Sequence, residues 1–131
     1  MLIPINTKKA PQPIGPYSQA IKIGRLLILS GQIPIDVKCE KITNDITQQT
    51  IITLKNIKSI IEAANLTIKN IIKTTIFLTN MNDLNTVNKV YKNFFLTHQQ
   101  VIFPARSCVQ VSALPNNVKI EIEALVLENT V

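Results

Sequence analysis

Two side chains in the last quarter of the chain have types suited to chemistry on a small carboxylate-bearing molecule. Arg106 is one of only two arginines among 14 basic residues, and it directly follows Pro104-Ala105. A guanidinium group binds a carboxylate through two parallel hydrogen bonds, which a lysine cannot reproduce. Glu121 carries a carboxyl group, which can both accept and donate a proton when its pKa is suitable. Two structural alternatives stay open: Arg106 could pair with a glutamate across a hairpin, and Glu121 could be a solvated strand carboxylate.

The remaining reactive residue types are too few for most metal-dependent or nucleophilic chemistry. Cys39 and Cys108 are far apart without a Cys-x-x-Cys spacing, and His98 is the only histidine. A zinc site or a catalytic triad would need His98, which lies at the predicted frayed end of a helix, where histidine complements the helix dipole. With three glycines in all, the chain has no phosphate-binding loop. We therefore expect no metal and no cofactor, and no base lies near Cys108 to make it a nucleophile.

Length and composition predict one globular domain over residues 1–131. The chain is 46% hydrophobic and 17% charged, which favours a packed core over disorder. No apolar run approaches the ~18 residues of a membrane span, and Lys8 and Lys9 come too early for the apolar region of a signal peptide. We expect a cytoplasmic protein without membrane contact.

The net charge of +6 is weak evidence for a nucleic-acid partner. Twelve of the 14 basic residues are lysines, and they are scattered along a chain that is also rich in isoleucine and asparagine, as mutational drift toward A and T would produce. The two tyrosines and four phenylalanines are not interleaved with basic residues, as a base-stacking surface requires. We therefore do not expect nucleic acid to be the partner.

Two helices are predicted from apolar residues at helical spacing. The first covers 45–64, where Asn44 or Asp45 can cap its start, and the second covers about 83–97 with Asn82 as its cap. A polar residue, Asn88, falls inside the apolar stripe of the second helix and must find a hydrogen bond or lose ~1–3 kcal/mol. Asn88 is then either a satisfied structural amide or a site residue at the boundary between helix and sheet.

The strands are predicted from β-branched runs and apolar alternation. They cover 17–23, 26–30, 70–79, 106–112 and 118–127, with irregular chain over 1–16 and a loop over 34–44. Gly24-Arg25 is the predicted turn between the first two strands. The order β-β-α-β-α-β-β predicts an α+β fold in which two helices pack on one face of a mixed sheet.

The last two strands are predicted to pair as a hairpin around residues 114–117. Val109 and Val111 would face the helices, together with the apolar residues of the last strand. The opposite, outer face would carry Arg106, Cys108 and Gln110 beside Lys119, Glu121 and Glu123. That outer face, and Ile51 and Ile52 off the stripe of the first helix, would be poorly protected in one chain. We expect a homo-oligomer whose clefts contain Arg106 and Glu121.

Four segments carry a resemblance to a known family. They are Ile14-Gly15-Pro16-Tyr17-Ser18-Gln19-Ala20, Leu29-Ser30-Gly31-Gln32-Ile33-Pro34, Phe103-Pro104-Ala105-Arg106-Ser107-Cys108-Val109 and Val118-Lys119-Ile120-Glu121-Ile122-Glu123-Ala124. At this spacing the chain resembles the YjgF-type reactive-intermediate deaminases, the Rid family, from about residue 8 to residue 127. Val87-Asn88 also fits.

The resemblance implies a chorismate-mutase-like homotrimer with active sites between subunits. It implies hydrolysis, without a cofactor, of the 2-enamine and 2-imine acids (2-aminoacrylate, 2-iminopropanoate, 2-iminobutanoate) that pyridoxal-phosphate enzymes release, giving 2-keto acids and ammonia. Arg106 matches the family's carboxylate anchor, and Glu121 matches the acid near the imine carbon and its water. Main-chain atoms of Cys108 match a pocket position, and further pocket positions match Tyr17, Ser30, Gly31 and Asn88.

Two alternatives of other functional classes stay open. One is an RNA-directed translation inhibitor or endoribonuclease, an activity also attributed to the family. The other is a non-catalytic ligand-binding trimer.

Overall fold

A computed structural model of the protein describes residues 1–100 and 102–129. Three residues of the predicted 1–131 domain, Val101, Thr130 and Val131, lie outside the described residues. The described strands are β1 (Ile3–Ile5), β2 (Ala20–Ile23), β3 (Leu26–Gln32), β4 (Ile71–Leu78), β5 (Ala105–Gln110) and β6 (Ile120–Leu127). The two α-helices of these ranges are α1 (Ile46–Ala63) and α2 (Leu84–Thr97).

The strands form a mixed sheet in the order β1-β2-β3-β6-β4-β5. Strands β4 and β5 are parallel to each other, and all other neighbouring strands are antiparallel. The chain returns from β4 to β5 through α2, which is the connection that a parallel pair requires. The predicted α+β fold, with two helices on a mixed sheet, is confirmed.

The predicted hairpin of the last two strands is wrong. β6 lies between β3 and β4, so β4 separates it from β5. Alternation shows which residues share a face of a strand, but it does not identify the neighbouring strand. The connection between β5 and β6 runs through a short 3₁₀ turn at Pro115–Asn117, not a tight hairpin turn.

The amino-terminal segment is more regular than predicted. Within the predicted irregular region 1–16, residues Ile3–Ile5 form an edge strand that pairs with β2. An edge strand tolerates Pro4, which has no backbone N–H to donate. The predicted first hairpin is confirmed: β2 and β3 are antiparallel around Gly24, whose φ of 56° suits glycine. The boundaries differ, since β2 begins at Ala20 and β3 continues to Gln32.

The first helix matches its prediction closely. The Asp45 carboxylate accepts a hydrogen bond from the Gln48 backbone N–H at 3.2 Å, and Leu54, Ile57 and Ile61, which share one face of the helix, are buried. The cap predicted for the second helix is wrong. Asn80, not Asn82, supplies the capping oxygen: its Oδ1 accepts from the Asn82 N–H at 2.9 Å and begins a 3₁₀ turn that leads into α2.

The core lies between the helices and one face of the sheet. Its fully buried side chains include Leu27 on β3, Ile76 on β4, Ile120 and Ile122 on β6 and Phe95 on α2. Because successive side chains of a strand alternate, the other face of these central strands is left without a helical cover. A search of the described residues finds no helix with the length and apolar character of a membrane span.

Candidate functional site

Arg106 lies on the face of β5 that α2 covers. Its Nη1 donates a hydrogen bond of 2.7 Å to Oδ1 of Asn88, and its guanidinium carbon lies 5.2 Å from the centre of the Tyr91 ring. The hydroxyl of Tyr91 shares a 2.7 Å hydrogen bond with that of Thr74, the β4 residue directly in register with Arg106. Two residues one turn apart on α2 therefore hold the guanidinium, and a buried hydroxyl pair fixes the aromatic ring beneath it.

The guanidinium of Arg106 remains available to a ligand. Neither ion pair found among the described residues includes it, so the expected alternative of a pair with a glutamate is contradicted. It opens on a surface cleft of about 290 Å³ lined also by Lys92 and Phe103. The guanidinium donates one N–H group to Asn88, and its remaining N–H groups can donate to a planar carboxylate.

Asn88 is both a satisfied amide and a neighbour of Arg106, so it agrees with both interpretations that the sequence left open. Its amide oxygen is satisfied, and the donor that satisfies it is the candidate anchor itself. Sequence reasoning did not identify Tyr91 or Phe103 as neighbours of Arg106. The spacing held a signal for Tyr91, because its position three residues after Asn88 places both on one face of the helix.

Glu121 lies on the opposite face of the sheet. It is in register with Phe77 of β4, and its neighbours Ile120 and Ile122 are the residues of β6 that point into the core. The expectation that Arg106 and Glu121 share one face is therefore wrong. The error lies in the orientation of β5: Cys108 packs against the core, whereas Val109, which was expected to face the helices, is 42% exposed.

Burial raises the pKa of Glu121 above the usual range of a glutamate, and the nearby carboxylate of Glu123 raises that pKa further. Both effects disfavour the charged form of the carboxyl group. A raised pKa brings the group closer to neutral pH, where one carboxyl can both accept and donate a proton.

Tyr17 and Gly31 belong to the same side of the molecule as Glu121. They line a cleft of about 270 Å³ together with Ile14, and the Glu121 side chain lies directly against Gly31. The Ser30 hydroxyl donates a 2.6 Å hydrogen bond to the Ser18 carbonyl, so Ser30 anchors the segment that presents Tyr17. Tyr17 is itself about half exposed.

A buried amide holds the rest of that segment. The side chain of Gln19 accepts a hydrogen bond from the Thr7 N–H at 2.8 Å and donates to the carbonyls of Thr7 and Pro11 at 3.0 and 2.9 Å. Gln19 is 1% exposed, so these bonds are shielded from water. The proline-rich segment is thereby tied to the sheet, and its position relative to Gly31 is set.

Cys108 is partly buried against the core. Burial raises the pKa of its thiol, although the charge of Arg106 acts in the opposite direction. The thiol therefore stays protonated, which does not suit a nucleophile.

The His98 ring lies at the end of α2, where its Nδ1 donates a hydrogen bond to the Phe94 carbonyl at 2.7 Å. Over residues 1–100 and 102–129, no group of three His, Cys, Asp or Glu side chains is placed to hold a metal ion.

The predicted site residues thus form two groups in one chain. We call Arg106, Asn88 and Tyr91 the anchor half-site, and Glu121, Gly31 and Tyr17 the carboxyl half-site. The first lies on the helical face of the sheet and the second on the open face. This α+β fold is that of the class of protein that the resemblance to the Rid family implies.

Comparisons with known proteins agree with that class. Residues 7–128 match the family described as Endoribonuclease L-PSP. The chain is 56% identical over 125 residues to a RutC family protein of Buchnera aphidicola subsp. Schizaphis graminum, covering 95% of this chain and 97% of that one. It is 49% identical over 121 residues to the 2-iminobutanoate/2-iminopropanoate deaminase of Salmonella typhimurium, covering 92% and 94% of the two chains.

A solved structure gives the same result. The crystal structure of E. coli TdcF with bound serine superposes with a TM-score of 0.94 at 45% identity, covering 97% of this chain and 99% of that chain. The protein therefore belongs to the Endoribonuclease L-PSP family, and the predicted membership of the Rid group within it is confirmed.

The carboxyl half-site leads to a prediction about charge. Replacing Glu123 by glutamine removes a negative charge near Glu121, so the pKa of Glu121 should fall toward the ordinary glutamate range. NMR titration of the side-chain carboxyl carbons measures this pKa directly. Glu128→Gln is the matched control, because it removes the same charge from the far end of the strand, where Glu128 pairs with Lys22. A Glu121 pKa that is equal in the wild type and in Glu123→Gln would contradict the assigned arrangement.

Proposed function

We propose that the protein hydrolyses 2-imino acids, and that each active site combines the anchor half-site of one subunit with the carboxyl half-site of another. The observation that carries this proposal is the separation of the two half-sites by the sheet within one chain. Arg106 and Glu121 cannot reach the same small molecule from opposite faces. A second copy of the chain can place its own Glu121 beside the Arg106 cleft of the first copy.

The anchor half-site supports a ligand with a carboxylate. Arg106 is already oriented by Asn88 and by the ring of Tyr91, so little side-chain entropy remains to be lost when a ligand binds. Its cleft has the size for a molecule of a few heavy atoms and contains a second cation, Lys92. Both features favour a small acid over a long polymer.

The carboxyl half-site supports acid–base chemistry at the carbon next to that carboxylate. An enamine first takes a proton on its terminal carbon and loses one from its nitrogen, which gives the imine. Glu121 then removes a proton from water as the oxygen attacks the imine carbon and passes that proton to the imine nitrogen, which gives a carbinolamine. The same carboxyl group next moves the hydroxyl proton to the amino group as the C–N bond breaks, and the 2-keto acid and ammonia leave. No electrons are transferred to or from another molecule, so the chain's own groups suffice.

The substrates proposed are the smallest members of this class. They are 2-iminopropanoate, formed from 2-aminoacrylate, and 2-iminobutanoate. The Salmonella typhimurium relative is named for deamination of these two compounds. The exposed apolar side chain of Ile14 beside Tyr17 is suited to contact a methyl or ethyl group rather than a charged one.

Exposed apolar surface supports the assembly that this site requires. The open face of the sheet presents Ile28, Phe77, Val109 and Leu125, and Ile51 is exposed on the outer side of α1. Such a surface on a chain of this size is typical of a subunit contact. We propose a homotrimer, in line with the resemblance noted for the sequence.

The test of the function is a coupled reaction with a pyridoxal-phosphate dehydratase acting on serine. The wild type should shorten the lifetime of the released imine, seen as less semicarbazone formed and faster release of the keto acid. Arg106→Lys should lower kcat/KM by ~10- to 150-fold, because loss of one charge-assisted hydrogen bond costs about 1.5–3 kcal/mol. Arg25→Lys is the matched control, since the Arg25 side chain donates to the Glu128 carbonyl just after the end of β6, away from both half-sites.

Other outcomes identify the other candidates. The family description Endoribonuclease L-PSP favours RNA as the second candidate substrate. An RNA site that needs only positive potential would lose little in Arg106→Lys. RNA cleavage that persists in this variant, with no effect on imine lifetime, would replace the proposed function. Saturable binding of 2-keto acids without any turnover would indicate a ligand-binding trimer instead.

The proposed trimer predicts a mass. Light scattering at micromolar concentration should give three times the chain mass of 14.6 kDa, because the open face of the sheet is buried between copies. A monomeric species that still hydrolyses the imine would contradict a site shared between subunits.

A further inference from the structure

Strand β3 has an irregular register next to the carboxyl half-site. Leu29 pairs with Ala124, and Gln32 pairs with Ile122. Between these two pairs β3 therefore advances by three residues, whereas β6 advances by two. The extra residue is a β-bulge at Ser30-Gly31. Leu29 and Gln32 both point into the core as a result, being 2% and 5% exposed. Gly31 is thereby turned to the open face, toward Glu121.

Residue 31 has no room for a side chain while Glu121 keeps its position. A Cβ atom on residue 31 would lie 2.8 Å from Cδ of Glu121 and 3.0 Å from its Cγ, and still closer to Oε2. Carbon atoms in contact without bonds lie about 3.5–4.0 Å apart. The obstacle is the mobile end of one side chain, and no main-chain atom is among these nearest contacts.

The backbone of Gly31 does not itself require glycine. Among the glycines of the chain, the left-handed region is occupied by Gly15 and Gly24, and Gly31 is not among them. An alanine at position 31 would therefore cause no backbone strain. What glycine provides at this position is the volume that the Glu121 carboxyl group occupies.

We propose that Gly31 is a positioning residue: the missing side chain lets the Glu121 carboxyl group lie against the bulge of β3, half-buried and directed at the site. This inference deepens the proposed function and rests on it for its catalytic consequence. Its structural part, the placement of Glu121 by Gly31, stands on the contacts within one chain.

The test is Gly31→Ala, alone and combined with Glu121→Gln. The single substitution should leave the melting temperature unchanged or higher, since alanine restricts the unfolded chain. It should lower kcat by roughly 10²-fold, because the displaced carboxyl group no longer reaches the imine carbon. KM should change little, since the carboxylate anchor is Arg106 of another subunit. Added to Glu121→Gln, the alanine should cause no further loss.

Two outcomes would overturn the inference. Equal kcat in Gly31→Ala and the wild type would show that Glu121 does not need this space. Full additivity with Glu121→Gln would show that Gly31 acts by itself, for example through its own main-chain atoms on the substrate.

A second readout requires no turnover. When Gly31→Ala moves the Glu121 carboxyl into water, its NMR-measured pKa should fall toward the ordinary glutamate value, because burial is the main cause of the raised pKa. An unchanged Glu121 pKa would contradict the placement. This measurement separates the two proposals: if imines are not hydrolysed by the wild type, the proposed function fails, while the pKa shift still decides the role of Gly31.

Discussion

The register of β4 with its two neighbours is the constraint on which the candidate site depends. Thr74 is in register with Arg106 on one side, and Phe77 is in register with Glu121 on the other. Residues paired in register point to the same face, and side chains along a strand alternate with a period of two. Because Thr74 and Phe77 are three residues apart, Arg106 and Glu121 must lie on opposite faces. The two-residue period of a strand thus keeps these two side chains apart within one chain.

Each half-site uses a different physical means to prepare its group. The anchor is fixed by contacts: an amide oxygen, an aromatic ring and the hydroxyl pair of Thr74 and Tyr91 hold the guanidinium in one orientation. The carboxyl group of Glu121 is prepared by its surroundings, since burial and a like charge raise its pKa. Because the pKa of Glu121 is higher in the folded chain than in the unfolded chain, protonation of Glu121 stabilises the fold at low pH. This stabilisation is lost as the pH rises through the folded-state pKa. The fold therefore bears an electrostatic cost at neutral pH beside the group that the proposed chemistry needs.

The sequence predicted the architecture well because its signals were local. Helix α1 followed from a continuous apolar stripe with Asp45 in front of it, and the β2–β3 hairpin followed from Gly24. Membership of the Rid family followed from four short segments in the correct order.

The errors that affect the site concern relations that local patterns do not contain. Alternation in 106–112 and 118–127 identified the two strands, but the strand between them comes from earlier in the chain. The face of β5 was assigned from its valines, whereas burial of Cys108 and the contacts of Arg106 with α2 decide it. The role of Gly31 required coordinates, because the bulge that turns it toward Glu121 is a property of the β3–β6 pair.

Complementation between two impaired variants tests the central claim most directly. Arg106→Lys and Glu121→Gln chains, unfolded together in equal amounts and refolded, would form mixed assemblies. If each site takes its anchor from one subunit and its carboxyl group from another, about a quarter of the sites regain both groups and activity rises toward that fraction of wild type. The control mixes wild type with the doubly substituted chain, which should also retain about a quarter of the sites. No recovery in the first mixture, with about half of the activity kept in the second, would show that one chain holds a whole site and would contradict the account.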